Sequence, residues 1–418
     1  MPDIDGGTLR AWRRSRGWDV PELARQLRRA ARESGVPVAT SVGLIRMIYA
    51  WERGDHDLSE RYELLYAAAL GIPPEQLRSG PGEAGEALGQ PYDLRGIAGM
   101  TLPSRLGISE LKEITSALDD ARRYLNLNIV AYFSERITEL AAGDGERGPR
   151  GALAPVLGVI AAIDHCARQV KPAIRRELLA AGARAAEFAG FLYRDIKAPE
   201  SAAYWRDRGT EWAQEGGHAA LQGYILLRKS QAAWDERDAL RMLTLAQAAQ
   251  DGMWALPPRV RAEAAQQEAR GHAMTGDDPA EMQRKLDEAC QLMDEPSGSD
   301  SELGSGYTSS LLAMQTAICH SEAGEWNRAA EIYSRELTDA AFSHRDFGYF
   351  RALMAGALAA VGEPSEACEA GMQALGIAEE TSSARTVGEL YRATGRLEPW
   401  QHRADVRELR GYLATLHG

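Results

Sequence analysis

TSVGLIRMIYAWERG, residues 40–54, is the stretch that decides how the first part of this chain folds. Thr40 and Ser41 carry hydroxyl groups of the kind that cap helix N-termini, and Gly54 is a residue type that commonly ends a helix. Apolar residues recur at i, i+4 and i+7 as Leu44, Ile48 and Trp51, which places them on one helical face. The sequence therefore predicts an amphipathic helix over 41–53. Its other face carries side chains suited to a polar, anionic partner: Arg46, Tyr49, Ala50 and Arg53.

Three more short helices are predicted around this one. The first covers residues 7–16, with Leu9 and Trp12 inward and its arginines outward. The second follows Asp19, which forms a capping-box-like pattern with Glu22, and runs to about residue 34. The last follows Ser59 and repeats apolar residues at helical spacing: Tyr62, Leu65, Tyr66 and Leu70. A four-helix unit over 1–78 follows from these patterns.

The distribution of charge separates this unit from the rest of the chain. The whole chain has a net charge of −12, yet residues 1–78 hold twelve Arg against eleven acidic residues. Within 10–32 there are eight Arg and only two acidic residues. A local basic surface on an otherwise acidic chain favours nucleic-acid contact that is confined to the N-terminal unit.

Three segments, LRAWRRSRGWDVPELA, LIRMIYAWERG and LSERYELLYAAALGI, together resemble the Cro/C1-type (Xre) helix-turn-helix domain of bacterial repressors. The resemblance covers residues 7–78 and makes 41–53 the recognition helix. It implies that Arg13 contacts phosphate and pairs with Glu52, and that Arg53 contacts phosphate. It also implies base contacts from Ile45, Arg46 and Ala50. The exposed face of the helix adds the other residues predicted to bind DNA: Thr40, Ser41 and Tyr49.

The sequence departs from the common form of that family in two places. Val20 stands where the family often has a phosphate-binding Gln. The segment from Ala24 to Trp51 is also longer, which would either lengthen the second helix or add a wing.

Residues 79–105 are rich in Gly and Pro and lack a period, so they are predicted to be a linker. One helix is expected from about residue 109 to 142, with a further break at 142–149. Its broken apolar stripe includes Ile114, Tyr124 and Phe133 and fits two roles. Residues 106–149 are either a connector that forms a dimer or the first helix of the next domain.

From residue 150 to 418 the chain is rich in Ala and carries a recurring motif. A residue at i, usually small, is followed by residues at i+4 and i+7, at successive spacings of 37, 43, 47 and 38 residues. The five copies are Ala202/Arg206/Gly209, Ala239/Leu243/Ala246, Met282/Leu286/Ala289, Ala329/Tyr333/Glu336 and Ala367/Gly371/Ala374. Small residues allow paired helices to approach closely. The region resembles degenerate tetratricopeptide repeats, so the expected fold is all-α, a helix-turn-helix domain followed by an α-solenoid.

A curved stack of helical pairs offers a concave surface that commonly binds peptides. The repeat register places amides, charged groups and aromatics there: Glu187, Phe191, Arg194, Tyr224, Arg228, Gln231, Gln266, Gln267, Arg270 and Gln315. Such side chains can hydrogen-bond a peptide backbone and pair with a carboxylate. The alternative is a solvated face that binds no small ligand.

Other chemistries find little support in the sequence. The eight His residues are scattered, so no metal site, catalytic site or cofactor is expected, and a helical enzyme is the least favoured alternative. The four Cys residues are far apart and are expected to be buried thiols. The apolar run 151–163 is too short to span a bilayer, and residues 1–17 lack the apolar core of a signal peptide. We therefore expect a cytoplasmic protein without a membrane partner.

These patterns lead to one functional hypothesis and one close alternative. The hypothesis is a transcriptional regulator that binds double-stranded DNA as a homodimer and senses a peptide or small-molecule effector. This arrangement is similar to that of peptide-pheromone-responsive regulators. In the alternative the repeats only dimerise or bind another protein.

Overall fold

The computed structural model describes residue 4, residues 6–16, 18–34, 36–70, 72 and 77, and residues 108–296 and 303–415. These residues form twenty α-helices that pack in tandem, and the described ranges contain no β-strand. The chain divides into two compact units, Met1–Asp93 and Leu94–Gly418. The all-helical fold class is therefore as predicted.

The N-terminal unit contains four helices: α1 (Gly6–Ser15), α2 (Val20–Glu33), α3 (Ser41–Arg53) and α4 (Glu60–Leu70). Its core consists of the side chains that set the helical periodicity, including Leu9, Leu27, Ile48 and Tyr66, each at most 1% exposed. Because α3 packs against both α1 and α2 through Leu44, Ile48 and Trp51, only one face of α3 is available to a partner.

The residues that make this segment longer than the common form of the family belong to α2 and to an extended connection between α2 and α3. α2 is fourteen residues long, residues 36–40 have no regular secondary structure, and no strand forms a wing among the described residues. Asp19 caps α2, because its carboxylate accepts a hydrogen bond from the backbone N–H of Glu22 at 2.7 Å. The reciprocal half of the predicted capping box is missing, since the Glu22 carboxylate accepts from Gln26 and pairs with Arg25 instead.

The single helix predicted after the linker is three helices in the structure. They are α5 (Ile108–Asp119), α6 (Ala121–Tyr124) and α7 (Leu127–Arg147). The breaks occur where Asp120 and Asn126 cap the following helices through their side chains. The break predicted at 142–149 is only the turn at Gly148, and the predicted linker 79–105 lies outside the described residues.

The apolar stripe of 106–149 faces the C-terminal unit rather than forming a free surface. Ile114, Ile129 and Phe133 are buried in one cluster with residues of the following helices. Tyr124 is the exception, at 44% exposed. The packing supports the second of the two predicted roles, in which these residues begin the next domain.

Thirteen further helices complete the C-terminal unit, and most of them pack against the helix that precedes them in sequence. They are α8 (Pro149–Ala167), α9 (Pro172–Asp195), α10 (Pro199–Gly216), α11 (Ala219–Asp235), α12 (Ala239–Ala249), α13 (Pro258–Thr275), α14 (Pro279–Asp294), α15 (Ser309–Glu322), α16 (Trp326–Glu336), α17 (His344–Val361), α18 (Pro364–Thr381), α19 (Ala384–Arg396) and α20 (Ala404–Thr415). Successive helices pack as pairs, α9 with α10, α11 with α12, α13 with α14, α15 with α16 and α17 with α18. α8 with α9, α12 with α13 and α17 with α19 also pack extensively.

Each copy of the recurring motif lies on the second helix of one of these pairs. Ala202, Met282, Ala329 and Ala367 are all buried in the pair interfaces, as the spacing predicts. The predicted register is wrong for α12, whose buried residues are Met242, Ala246 and Ala249. The predicted Ala239 and Leu243 are half-buried, since the helix is rotated relative to the proposed register.

The tandem array returns on itself, so that its last helices contact its first. α17 and α18 pack against α7, and α19 packs against α9. Arg345 on α17 and Asp144 on α7 form a buried ion pair at the first junction. At the second junction the Ser383 hydroxyl donates to Asp195 at 2.9 Å. The sequence did not predict this closure.

α8 is the one helix in the described ranges that is long and apolar enough to cross a membrane by length and composition. It is longer than the predicted apolar run, and half of its apolar window is buried by the neighbouring helices, as in the core helix of a helical array. The four thiols are all free, but only Cys166, Cys319 and Cys368 are buried. Cys290 is exposed, contrary to expectation.

Glu322 ties α15 to the end of α11 and makes the stability of the unit dependent on pH. Its carboxylate accepts hydrogen bonds from Trp234 Nε1 at 2.8 Å and from two nitrogens of Arg237 at 2.6 Å. Burial raises the pKa of Glu322, but the Arg237 hydrogen bonds and charge outweigh burial, and the net pKa is lowered. Its contribution to stability is therefore fully present above the unfolded pKa of about 4.3 and is lost as the pH falls through the folded value.

We expect Glu322→Gln to reduce the free energy of unfolding by about 1.5–3 kcal/mol at pH 7, the worth of hydrogen bonds to a charged group. The difference from the wild type should shrink at pH 3, because the unfolded wild-type chain already binds a proton at Glu322 below its unfolded pKa of about 4.3. Urea midpoints at both pH values test this, with Glu331→Gln as the matched control because Glu331 is 73% exposed. An equal loss at pH 7 and pH 3 would contradict the assignment.

Candidate functional site

The outer face of α3 presents a continuous stripe of exposed side chains. Val42, Arg46, Tyr49 and Arg53 recur at i, i+4, i+7 and i+11, so they lie along one side of the helix. Val42 is 41% exposed and Tyr49 is 48% exposed, so both side chains are open to a partner. The stripe combines two cations, one phenol and one aliphatic group, and Val42 is a member that the sequence analysis missed.

A buried ion pair fixes the position of α3 against α1. Arg13 donates from Nε to Glu52 Oε1 at 2.6 Å and from Nη2 to Oε2 at 2.8 Å. Its third nitrogen, Nη1, donates to the Trp18 carbonyl at 2.8 Å. The hydrogen bond to Glu52 outweighs burial and raises the pKa of Arg13. Because all three nitrogens are used and the side chain is 11% exposed, the geometry favours a positioning role for Arg13 over a phosphate contact.

A hydrogen bond from α2 holds the start of α3. Thr40 is exposed, and its hydroxyl accepts a hydrogen bond from the Gly43 backbone N–H at 3.3 Å. Arg28 donates from Nη1 to the Ser41 hydroxyl at 2.5 Å, which brings a cation to this end of the helix. Arg28 was outside the set of predicted DNA-binding residues.

The remaining predicted DNA-binding residues differ in accessibility. Arg46 is fully on the surface, whereas Ile45 and Ala50 are half-buried. Ile45 packs against the core of the unit, because its position faces α2 rather than solvent. The α3 helix ends at Gly54, whose φ of +77° favours glycine, and Arg53 donates to Asp55 at 2.8 Å. That pair is exposed on both sides, so Arg53 can exchange Asp55 for another anion at little cost.

The C-terminal unit contains a cavity of approximately 440 Å³ against the inner faces of α7, α9, α11, α13 and α17. Four of the predicted concave-surface residues line it: Glu187, Phe191, Tyr224 and Arg228. The sequence analysis missed several other lining residues, among them Asp144, Arg184, Glu263, Tyr307 and Arg345. Three acidic side chains balance three arginines, and four aromatic rings complete the wall. The volume lies within the range of small-molecule sites, about 300–1,000 Å³.

Arg228 is the centre of the hydrogen-bond network beside this cavity. It donates to Glu263 at 2.7 Å and to the Tyr224 hydroxyl at 2.5 Å, and its guanidinium lies 4.4 Å from the Tyr224 ring centroid. Burial lowers the pKa of Arg228, but Glu263, Tyr224 and Glu187 outweigh burial and raise it. Burial also raises the pKa of Tyr224 to about 12 and raises the pKa of Glu187. Arg228 is therefore stabilised in its charged form, whereas burial favours the neutral forms of Tyr224 and Glu187.

Three buried polar atoms that belong to lining residues have no hydrogen-bond partner among the described residues: Asp144 Oδ1, Glu263 Oε2 and Tyr307 Oη. Buried polar atoms in folded proteins are almost always satisfied by protein or water. The residues of the cavity wall therefore include one donor and two acceptors whose hydrogen-bonding capacity the described residues leave unused.

The other predicted concave residues lie outside this cavity. Gln231 stands behind it and donates to Glu263 at 2.7 Å, so it supports the wall. Arg194 lines a different cavity, where it pairs with Asp235. A third group packs between α13 and α15, where its members hydrogen-bond to one another: Gln266, Gln267, Arg270 and Gln315. Gln266, Gln267 and Arg270 are each at most 2% exposed, because this face of α13 is covered by neighbouring helices instead of being open to a ligand.

Neither site contains the residues of a metal centre in the part of the chain that the structure describes, and the chain as a whole matches no known family. The described residues contain no group of three or more His, Cys, Asp or Glu side chains that could hold a metal ion. No protein-family model matches the chain, and no curated protein matches it.

Proposed function

We propose that the chain is a transcriptional regulator whose N-terminal unit is an Xre-type helix-turn-helix domain that binds double-stranded DNA with α3. The observation that carries this proposal is the exposed stripe of Val42, Arg46, Tyr49 and Arg53 on a helix held from behind by the Arg13–Glu52 pair. A helix of this width fits the major groove of B-DNA. Arg residues neutralise phosphates and also bind guanine edges through two hydrogen bonds.

The members of the stripe have distinct proposed roles. Arg46, near the middle of α3, binds a guanine edge, and Val42 contacts a thymine methyl group. Arg53, at the C-terminal end, and Arg28, beside the N-terminal end, bind phosphates on either side of the groove. Tyr49 contributes a phosphate hydrogen bond or an apolar contact. Two copies of the chain bind two half-sites, because one such helix reads too few base pairs for specificity.

The cavity lined by Glu187, Phe191, Tyr224 and Arg228 is the proposed effector site. Its balanced charges, aromatic walls and unpartnered polar atoms suit a peptide or another molecule that carries both a carboxylate and an amine. The volume of the cavity and its mixture of charged and aromatic side chains favour this role over a scaffold without a small ligand. An effector that binds two arrangements of the array with different affinity would change operator affinity by linkage.

We expect Arg46→Ala to weaken binding to a specific duplex by about tenfold to a hundredfold, since a bidentate guanine contact is worth about 1–3 kcal/mol. Binding to random-sequence DNA should change little. Fluorescence anisotropy on a duplex selected by the wild-type chain measures both. Arg61→Ala is the matched control, because Arg61 is exposed on α4. Equal specific affinity of wild type and Arg46→Ala would show that α3 does not read bases.

A further inference from the structure

A second cavity, of approximately 410 Å³, lies where the array returns on itself. Its wall combines the end of α9, the first half of α10, the end of α11, the start of α12 and the inner side of α19. It shares no lining residue with the proposed effector cavity. Seven lining side chains are Lys or Arg and only three are acidic, so this cavity has a strong positive character.

Most of these charges are already compensated. The three acidic lining residues each pair with one basic lining residue, as Asp235 with Arg194, Asp207 with Lys229, and Glu236 with Arg241. Two arginines of α19 pair with acids outside the cavity wall, as Arg385 with Asp195 and Arg392 with Glu389. Arg206 and Lys197 are the two lining cations without a hydrogen-bond or ion-pair partner in the described part of the chain.

Of these two cations without a partner in the described ranges, Arg206 is the one that is buried. It is 3% exposed, and its Nε has no hydrogen-bond partner among the described residues. Its aliphatic portion crosses Gly190 on α9, where an added Cβ would lie 2.9 Å from Arg206 Cγ, so the side chain has little freedom to turn away. Burial, and then the neighbouring Arg194, lower the pKa of Arg206 to about 10. A buried cation is costly unless an anion compensates it.

The start of α10 adds a second feature that attracts anions. Pro199 and Ala202 in its first turn line the cavity, and no side chain caps this helix. The free N–H groups and dipole of a helix N-terminus favour negative charge. Lys197 lies immediately before this turn. Ala203 and Ala232 are apolar members of the wall and would contact the uncharged part of an organic molecule.

We propose that this cavity binds a small organic phosphate, with the phosphate group between Arg206 and Lys197. A phosphate monoester carries a charge of about −1.5 to −2 at pH 7, which suits two cations that form no ion pair in the described part of the chain, whereas a carboxylate supplies only one charge. The guanidinium fork binds phosphate oxygens in pairs, and the lysine adds a point charge. Because α10 and α19 both line the cavity, the bound molecule joins the first helical pairs to the last.

Isothermal titration calorimetry of the full chain, without DNA, tests the proposal with phenyl phosphate and with benzoate at matched ionic strength. We expect saturable binding of phenyl phosphate and weaker binding of benzoate. Arg206→Met should reduce phenyl phosphate affinity at least tenfold, and Lys197→Gln should reduce it several-fold. Arg168→Gln is the matched control, because Arg168 follows the end of α8 and is 75% exposed, and it should bind like the wild type.

The variants separate loss of a site from loss of the fold. Arg206→Met removes an uncompensated buried charge, so its melting temperature without ligand should equal or exceed that of the wild type. Lys197 is exposed, so Lys197→Gln retains the fold. The proposal is overturned if phenyl phosphate does not bind saturably, if folded Arg206→Met and Lys197→Gln bind it as tightly as the wild type, or if benzoate binds equally well.

Discussion

Arg345→Ala should lower the free energy of unfolding of the C-terminal unit by about 3–5 kcal/mol, the cost of removing one partner of a buried ion pair. Asp144 is 1% exposed and Arg345 is 4% exposed, so the variant leaves the Asp144 carboxylate buried without its counter-charge. The Arg345 guanidinium also lies 4.9 Å from the Phe191 ring centroid, a contact that the variant removes. Urea denaturation of the full chain, followed by circular dichroism, measures the loss.

Two comparisons make this result specific to the closure of the array. Arg168→Ala removes an equally large side chain from an exposed pair and should leave the urea midpoint unchanged. Replacing both partners, as Asp144→Asn with Arg345→Gln, should recover much of the stability because neither partner is then left as an unpaired charge. Hydrogen–deuterium exchange should rise first in α7 and α17. A loss below about 1 kcal/mol for Arg345→Ala would mean that the junction is open in solution.

Glu52→Ala should destabilise the N-terminal unit by about 2–4 kcal/mol, slightly less than for a fully buried pair because Arg13 keeps some contact with solvent. The variant removes two of the three hydrogen bonds that Arg13 donates. A unit with four short helices has a small total stability, so α3 should be poorly ordered. Specific DNA binding should therefore be lost even though Glu52 does not face the solvent.

Hydrogen–deuterium exchange of α1 and α3 in the full chain is the suitable measurement, since it reports on this unit alone. Asp55→Ala is the matched control, because it removes a carboxylate from an exposed pair beside the same helix and should leave exchange unchanged. The double variant Arg13→Met with Glu52→Leu should restore protection, as apolar pairs commonly replace buried ion pairs without loss. Exchange in Glu52→Ala that equals the wild type would contradict the positioning role.

The sequence was sufficient for the elements of the N-terminal unit, because their signals are local. Thr40, Leu44, Ile48 and Gly54 fix the start, face and end of α3 within fifteen residues. The Arg13–Glu52 pair was predicted only through the family resemblance, since nothing local joins residues 39 positions apart. The distinction between an exposed Arg46 and a half-buried Ile45 depends on how α2 and α3 pack.

The spacing of the recurring motif predicted only part of the fold of the C-terminal unit. The motif spacing identified the second helix of each pair, because small residues mark close helix packing. It could not predict that α17 and α19 would contact α7 and α9, since such contacts join residues about 200 positions apart, as Asp144 and Arg345 are. It also could not predict that α15 would cover Gln266 and Arg270, which were expected to face a ligand.

One residue carried a signal for the missed cavity. Arg206 occupies the central position of the first motif copy, where the other copies have Leu, Tyr or Gly. A charged residue at a packing position indicates either a buried pair or a ligand. The sequence alone does not distinguish these, because the partner must come from another helix.

The most direct test of the central claim is selection of duplexes from a random DNA pool by the purified full chain. The proposed function predicts enrichment of a two-fold symmetric motif, with half-sites separated by about one helical turn or a multiple of it, 10–10.5 base pairs each. Selection with Arg46→Ala should lose preference at the base pair that this residue contacts and keep the rest of the motif. A folded wild-type chain that enriches no motif at moderate salt would contradict the proposal.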